Sequence, residues 1–231
     1  MPKAVAAAKA GQRYEPRSAK GTQTRAKLVR AAKLVFERDG MLNARITDIS
    51  KRAKVSYGAF YHYFDSKEDL FREVAEAQEE RLTAPPDEDD PPNPRGTVED
   101  RIRDANRRYL QRYRDEAALM GKIEQASRYD PHVNSVRMAS QRHFAERSER
   151  AIARLKAEGR ADPRVNPAIA ADALGAMVGR FAELWLTQGY KEYDFDEVVE
   201  QLSLLWANAI GVRPPEPPPQ TPKPRRKGSV D

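Results

Sequence analysis

Residues 46–71, ITDISKRAKVSYGAFYHYFDSKEDLF, decide the fold. Ile46, Ile49 and Ala53 recur at three- and four-residue steps, which puts them on one side of a short helix. Val55 follows within a break long enough only for a tight turn. Phe60 and Phe64 then share the face of a second helix and leave Tyr57, Gly58, Ala59, Tyr61 and His62 pointing the other way. In a helix-turn-helix the first helix braces on the nucleic-acid backbone while the start of the second enters the major groove. The segment from Ile46 to Phe64 meets both demands, with Phe60, Phe64 and Tyr63 as the packed back of the recognition helix.

Working outward, Leu28, Ala31, Ala32, Val35 and Phe36 make one apolar stripe between Thr22 and Arg38, and Gly40 is the expected stop. On the other side, Ser66 with Asp69 three residues on resembles a capping box and opens a helix through Leu70, Val74 and Ala77 toward Leu82. Residues 83–96, TAPPDEDDPPNPRG, carry five prolines and four consecutive acids, so no helix continues through them. Helical spacing resumes at Ile102, Ala105, Tyr109 and Tyr113, then at Leu119, Met120, Ile123 and Ala126. A long stripe from Val133 to Leu155 ends at Gly159. The run from Ala168 to Leu186 is apolar nearly all round, and Val198, Leu202, Leu205, Trp206 and Ala209 form the last face. Sustained period-2 alternation is missing, so the expected fold is all-α with about nine helices. The expected organisation is a basic arm at 1–21, a helix-turn-helix domain at 22–65 and a connecting helix at 66–82. An acidic Pro-rich loop at 83–96, a ligand-binding and dimerisation domain at 97–212 and a Pro-rich basic tail at 213–231 complete it.

Charge is distributed unevenly. Residues 1–70 hold 15 Lys and Arg against 7 Asp and Glu, while the net charge of the whole chain is only +6, so the first module is the part suited to a polyanion. Cysteine is absent, which removes disulfides, thiolate chemistry and cysteine-ligated zinc. His62, His132 and His143 lack HExxH spacing, and neither a GxSxG elbow nor a GxxxxGK[ST] loop occurs. The reading is therefore of a non-enzymatic protein with no cofactor and no metal. No apolar run is long enough for a membrane span and no signal-peptide core precedes the first helix, so a cytoplasmic location is expected.

The segment quoted above resembles the DNA-binding signature of TetR-family regulators, which typically reads Asp-Ile-Ala, Ala-Gly-Val-Ser, Gly-Thr-Phe-Tyr-x-Tyr-Phe and Lys-Glu-x-Leu. The likeness spans roughly Gln23 to Val74. Carried over by position, it implies that Tyr57, Gly58, Ala59 and His62 face the bases or the groove and that Tyr61 and Lys67 anchor phosphates. Arg45 and Thr47, at the start of the brace helix, complete the expected DNA-binding set. Three positions depart from the pattern: Lys54 stands for a glycine, Arg45 for a capping Ser or Thr, and Ala59 for a threonine. Lys54 predicts a strained left-handed cap, Arg45 a missing side-chain cap and Ala59 a lost hydroxyl.

The resemblance also implies a dimer formed by the last two helices and a ligand pocket among the middle ones. Aromatics and a few polar groups on apolar faces make Tyr109, Tyr113, Met120, Ile123, Glu124, His143, Phe144, Phe181 and Trp185 the ligand candidates, with plain core packing as the simpler reading of each. Gly175 and Gly179, four apart, suggest that the last two helices approach closely. Ala171, Leu174, Gly175, Val178, Leu202, Leu205, Trp206 and Ala209 are accordingly the expected subunit interface. The expected partners are a near-palindromic double-stranded operator, a second copy of the chain and a small hydrophobic or amphipathic effector. A DNA-binding activator or architectural protein whose C-terminal domain binds a protein partner is the alternative. Five basic residues before Thr22 suggest an arm that adds phosphate attraction.

Overall fold

The computed structural model describes residues 18–85 and 96–212. The expected arm up to residue 17, the centre of the acidic loop and the basic tail lie outside the described residues. The described residues hold no strand and form α1 (Ala19–Asn43), α2 (Ile46–Ala53), α3 (Tyr57–Phe60), α4 (Lys67–Thr83), α5 (Val98–Asp115), α6 (Ala117–Ser127), α7 (Pro131–Ala157), α8 (Pro167–Ala182) and α9 (Phe195–Ile210), with a π-helical turn at Glu183–Thr187 after α8.

Local chemistry sets most helix starts. Ser66 accepts from the Asp69 amide at 3.0 Å, and Thr97 and Asp100 complete a reciprocal capping box on α5. Asp130 and Asn166 cap α7 and α8, each followed by a proline at the first helical position, where its missing N–H costs nothing. Ser18 caps α1 by accepting from Gly21 at 3.1 Å, so α1 begins three residues earlier than its stripe suggests. Gly40, the expected stop, breaks the helix: it leaves helical backbone at φ 73°, and a short further turn to Asn43 follows with Met41 buried in the core.

α1, α2 and α3 enclose Leu28, Phe36, Ile49 and Phe60, all fully buried, and Phe71 of α4 meets Phe36 edge-on with centroids 5.0 Å apart. The three-helix head therefore shares its core with α4. Ala77 is exposed, because the buried side of α4 runs through Leu70, Val74, Ala75, Gln78, Glu79 and Leu82. α1 also packs on α6, and a Lys33–Glu116 ion pair at 2.5 Å spans that contact. In the body, α8 packs chiefly on α7 and α9 on α5, while α8 and α9 meet only thinly. This corrects the expected α8–α9 pairing: a Cβ on Gly175 would lie 3.5 Å from the Phe144 ring of α7, and one on Gly179 3.5 Å from the Tyr109 hydroxyl of α5. The small residues serve these contacts.

Candidate nucleic-acid interface and effector cavity

The turn between α2 and α3 is fixed by Lys54, which sits at φ 58°, ψ 43° and sends its amide to Lys51 and Ser50. It is the one non-glycine residue with positive φ among the described residues, as its departure from glycine predicts. Val55 then tucks against the core and Ser56 caps α3 by accepting from Ala59 at 3.2 Å. Phe60 and Phe64 pack with ring centroids 5.8 Å apart and hold the recognition helix from behind, with Tyr63 half-buried beside them.

On the open side, Tyr57 and Tyr61 stand 53% and 46% exposed. Their rings meet edge-on at 5.4 Å and their hydroxyls share a hydrogen bond of 3.0 Å. That bond, and then burial, push the Tyr61 hydroxyl above its ordinary pKa. A Cβ on Gly58 would meet nothing within 4 Å, so the glycine leaves an open approach to the backbone. His62, Arg45 and Thr47 are exposed beside it, and Ala59 is half-buried. No side chain caps the start of α2, and Arg45 leaves its guanidinium to solvent there. The head thus presents hydroxyls, a ring nitrogen and cations on one surface, the donors that phosphates and base edges accept.

Lys67, expected to anchor a phosphate, also braces the fold. Its ammonium donates to the carbonyls of Leu42 at 2.7 Å and Ala44 at 3.1 Å, closing the end of α1, and its helix carries Glu68 and Asp69 in the first turn. The amine is engaged with the fold before any phosphate arrives.

A cavity of about 280 Å³ lies among α4, α5, α6, α7 and α8. Of the ligand candidates, Tyr109, Tyr113, Met120, Glu124 and Phe144 line it. Ile123 of α6 does not, being fully buried in the core, and His143 faces solvent. Phe181 and Trp185 also miss it: they stack with Tyr193 and Phe195 at 5.6 to 6.3 Å and pin the π-helical turn to the start of α9. Sequence reasoning overlooked Glu79 and Arg137. Glu79 lies four residues after Ala75 and three before Leu82, and an acid on that apolar stripe was the available signal.

The cavity is acid-edged. Tyr113 donates to the Glu124 carboxylate and lies 3.3 Å from the Thr187 hydroxyl. Arg137 sits 3.6 Å from Glu79 and 3.7 Å from Glu124, one guanidinium between two carboxylates. Burial pushes both acids upward, and it does the same to the Tyr109 and Tyr113 hydroxyls. Asp172 and Glu183 add to the acids on the rim, with Arg180 opposing them.

Five of the expected interface residues are already core: Ala171, Leu174, Val178, Leu202 and Trp206 are buried within the chain. Leu205 and Ala209 are exposed, and the outward apolar residues that the expectation omitted are Leu204 and Ile169. The expected strip thus mixes inward and outward positions, with Leu205 and Ala209 on the outer side.

Among the described residues no helix is long and apolar enough to cross a membrane, and no cluster of three or more His, Asp or Glu is placed to hold a metal ion.

Residues 28–74 match the family model of the bacterial regulatory proteins, tetR family. No curated protein matches the chain. Among solved structures, a protein from Rhodococcus sp. assigned to the TetR-family transcriptional regulators is 16% identical, with a TM-score of 0.64 over 82% of this chain and 98% of that one. The transcriptional regulator FadR from Bacillus subtilis, in complex with stearoyl-CoA, is 14% identical, with a TM-score of 0.66 over 80% and 98% of the two chains. NalD, the secondary repressor of the MexAB-OprM multidrug efflux pump in Pseudomonas aeruginosa, is 24% identical, with a TM-score of 0.60 over 84% and 98%. At these identities the likeness speaks for the fold.

Proposed function

We propose that this chain, a DNA-binding transcriptional regulator of the TetR family by its first domain and its fold, acts as a homodimeric repressor that a small molecule releases from a near-palindromic operator. The observation that carries the reading is the exposed, mutually hydrogen-bonded Tyr57–Tyr61 pair beside the open backbone of Gly58. Tyr61 rests edge-on against the buried Phe60 ring at 5.3 Å, and both tyrosines keep their hydroxyls on the open side. As contacts, Tyr57, Gly58, Ala59 and His62 face bases, while Tyr61 and Arg45 take phosphates, with Thr47 beside them. Lys67 acts through the end of α1, where it supports Arg45.

A second copy docks on the outer strips of α8 and α9, where Ile169, Leu204 and Leu205 stand 68%, 52% and 52% exposed. Two-fold pairing there gives two recognition helices and an operator of matching symmetry. The repressor role has a parallel in NalD, whose chain follows the same plan.

The effector occupies the cavity behind α4. Its walls ask for an apolar or aromatic body, and Glu79 and Glu124 ask for a hydrogen-bond donor or a protonated amine on that body. α4 connects cavity and head directly: Glu79 lines the cavity, Arg72 pairs with Asp130 at the start of α7 at 3.0 Å, and Glu73 binds Arg25 of α1 through both carboxylate oxygens. A ligand that prefers one setting of α4 shifts the spacing of the two heads by its differential affinity.

Footprinting of the DNA upstream of the chain's own gene tests the reading. A protected site with two-fold symmetry is expected, and a protected site without it contradicts the dimeric repressor.

A further inference from the structure

Between α5, α7 and α9 lies a second cavity of about 500 Å³, in the range of about 300–1,000 Å³ typical of small-molecule sites. It is separate from the acid-edged one, sharing with it only the Phe144 ring. Its floor is apolar, built by Ile102 of α5, Ile152 and Leu155 of α7, and Trp206 and Ile210 of α9. Its rim is cationic: Arg101, Arg147, Arg154 and Arg160 line it against a single acid, Glu158.

Among the described residues these arginines have few partners. Arg101 donates to the Gly96 carbonyl at 2.9 Å, and Arg160 stands 3.6 Å from Glu158, which is longer than a direct hydrogen bond. Arg147 lies 5.8 Å over the Phe144 ring, with Arg108, Arg112 and Arg150 as charged neighbours. Partial burial and then these like charges hold its guanidinium below the ordinary arginine value. Cations gathered at the edge of an apolar hollow repel one another, and an anion between them offsets that cost.

We propose that this cavity is a second small-molecule site, for a single-chain amphiphile with an anionic head: the chain lies along the apolar floor and a carboxylate or phosphate sits among the rim arginines. The opposed charges of the two cavities sort their ligands, since the acids around Glu124 repel the head that the arginine rim attracts. Trp206 and Ile210 form the α9 wall of this cavity, while Leu204 and Leu205 stand on the outer side of the same helix. An occupant therefore bears on how α9 is seated.

Trp206 is also the reporter. The chain has two tryptophans, so Trp185→Phe leaves Trp206 as the sole emitter in the full-length protein. Dodecanoate, dodecyl phosphate and dodecyltrimethylammonium share one chain length and differ in the head, and each is titrated below its micelle concentration while circular dichroism monitors helix content. The expected result is a saturable change in Trp206 emission, one ligand per chain, for the two anions and at least tenfold weaker binding of the cation. The tighter anion identifies the head as carboxylate or phosphate. Arg147→Ala with Arg154→Ala is expected to weaken the anion about tenfold with helix content unchanged. Calorimetry on the unaltered chain reads the same anion-over-cation preference without any substitution. No saturable binding, equal binding of anion and cation, or an undiminished affinity in the double variant would overturn the proposal.

Discussion

At the scale of single residues, Lys54 is the clearest strained position. A side chain in the left-handed region costs about 1 kcal/mol that glycine avoids, set against the greater backbone freedom that glycine loses on folding. Lys54→Gly is therefore expected to raise stability by about 0.5 kcal/mol, read as a higher urea midpoint with unchanged slope. Buried acids give a second prediction. Burial raises the Glu79 and Glu124 carboxyls, so their charged forms are penalised in the folded state. Their contribution is full below the ordinary carboxylate pKa of about 4.3 and is lost as pH rises through the raised values. The parent should gain stability as pH falls from 7 toward about 4.3, and Glu79→Gln should flatten that slope in urea unfolding across the pH series. Asp39, Asp100 and Asp130 are depressed instead, so they act on the other side of the window, removing stability once pH falls through their lowered values. In the sequence, Lys54 was legible because one backbone position demands a glycine-like conformation. The engagement of Lys67 was not, because the carbonyls it meets lie 23 and 25 residues away and no periodicity encodes such a pairing.

At the scale of elements, α4 was legible because its cap at Ser66 and its apolar stripe agreed, and α5 and α9 were legible from their stripes alone. The break after α8 was not. Ala168 to Leu186 reads as one continuous apolar helix, yet the backbone widens to a π-helical turn at Glu183–Thr187. α6 approaches the turn so closely that a Cβ on Gly121 would fall 2.5 Å from Cγ2 of Thr187. A β-branched side chain cannot swing clear. Gly121→Ala should consequently cost about 1–3 kcal/mol through overpacking, and adding Thr187→Ser, which removes the methyl but keeps the hydroxyl beside Tyr113, should recover most of it. Thermal unfolding of the four proteins in that cycle measures the coupling, and additive effects would place the close approach elsewhere. Which side of α8 and α9 faces outward was also hidden, because Leu and Ala on two opposite stripes satisfy helical spacing equally well. Packing on α7 and α5 decides it.

At the scale of the whole molecule, the head rests on α4 and α6, and the body offers two cavities of opposite charge and two outward apolar strips. Leu204→Glu with Leu205→Glu places charges on the strip of α9 without touching its buried face. The expected outcome is a monomer by sedimentation with unchanged helix content, and operator affinity reduced by at least tenfold. A dimer that survives both substitutions would move the interface to another surface. The head's helix-turn-helix fold was legible from 26 residues because the brace and the turn constrain each other locally. The acid-edged cavity was legible only in part, through Tyr109, Tyr113, Met120, Glu124 and Phe144, and the arginine-rimmed one was not, since each gathers residues from at least three helices far apart in the chain. The central claim is that α3 reads DNA as one half of a symmetric pair, and selection of bound sequences from a random duplex pool tests it most directly. The account predicts enrichment of an inverted repeat whose half-sites lie about 34–36 Å apart or more, lost when Tyr57 and Tyr61 are both changed to alanine. Enrichment of a single asymmetric site, or of none, would contradict it.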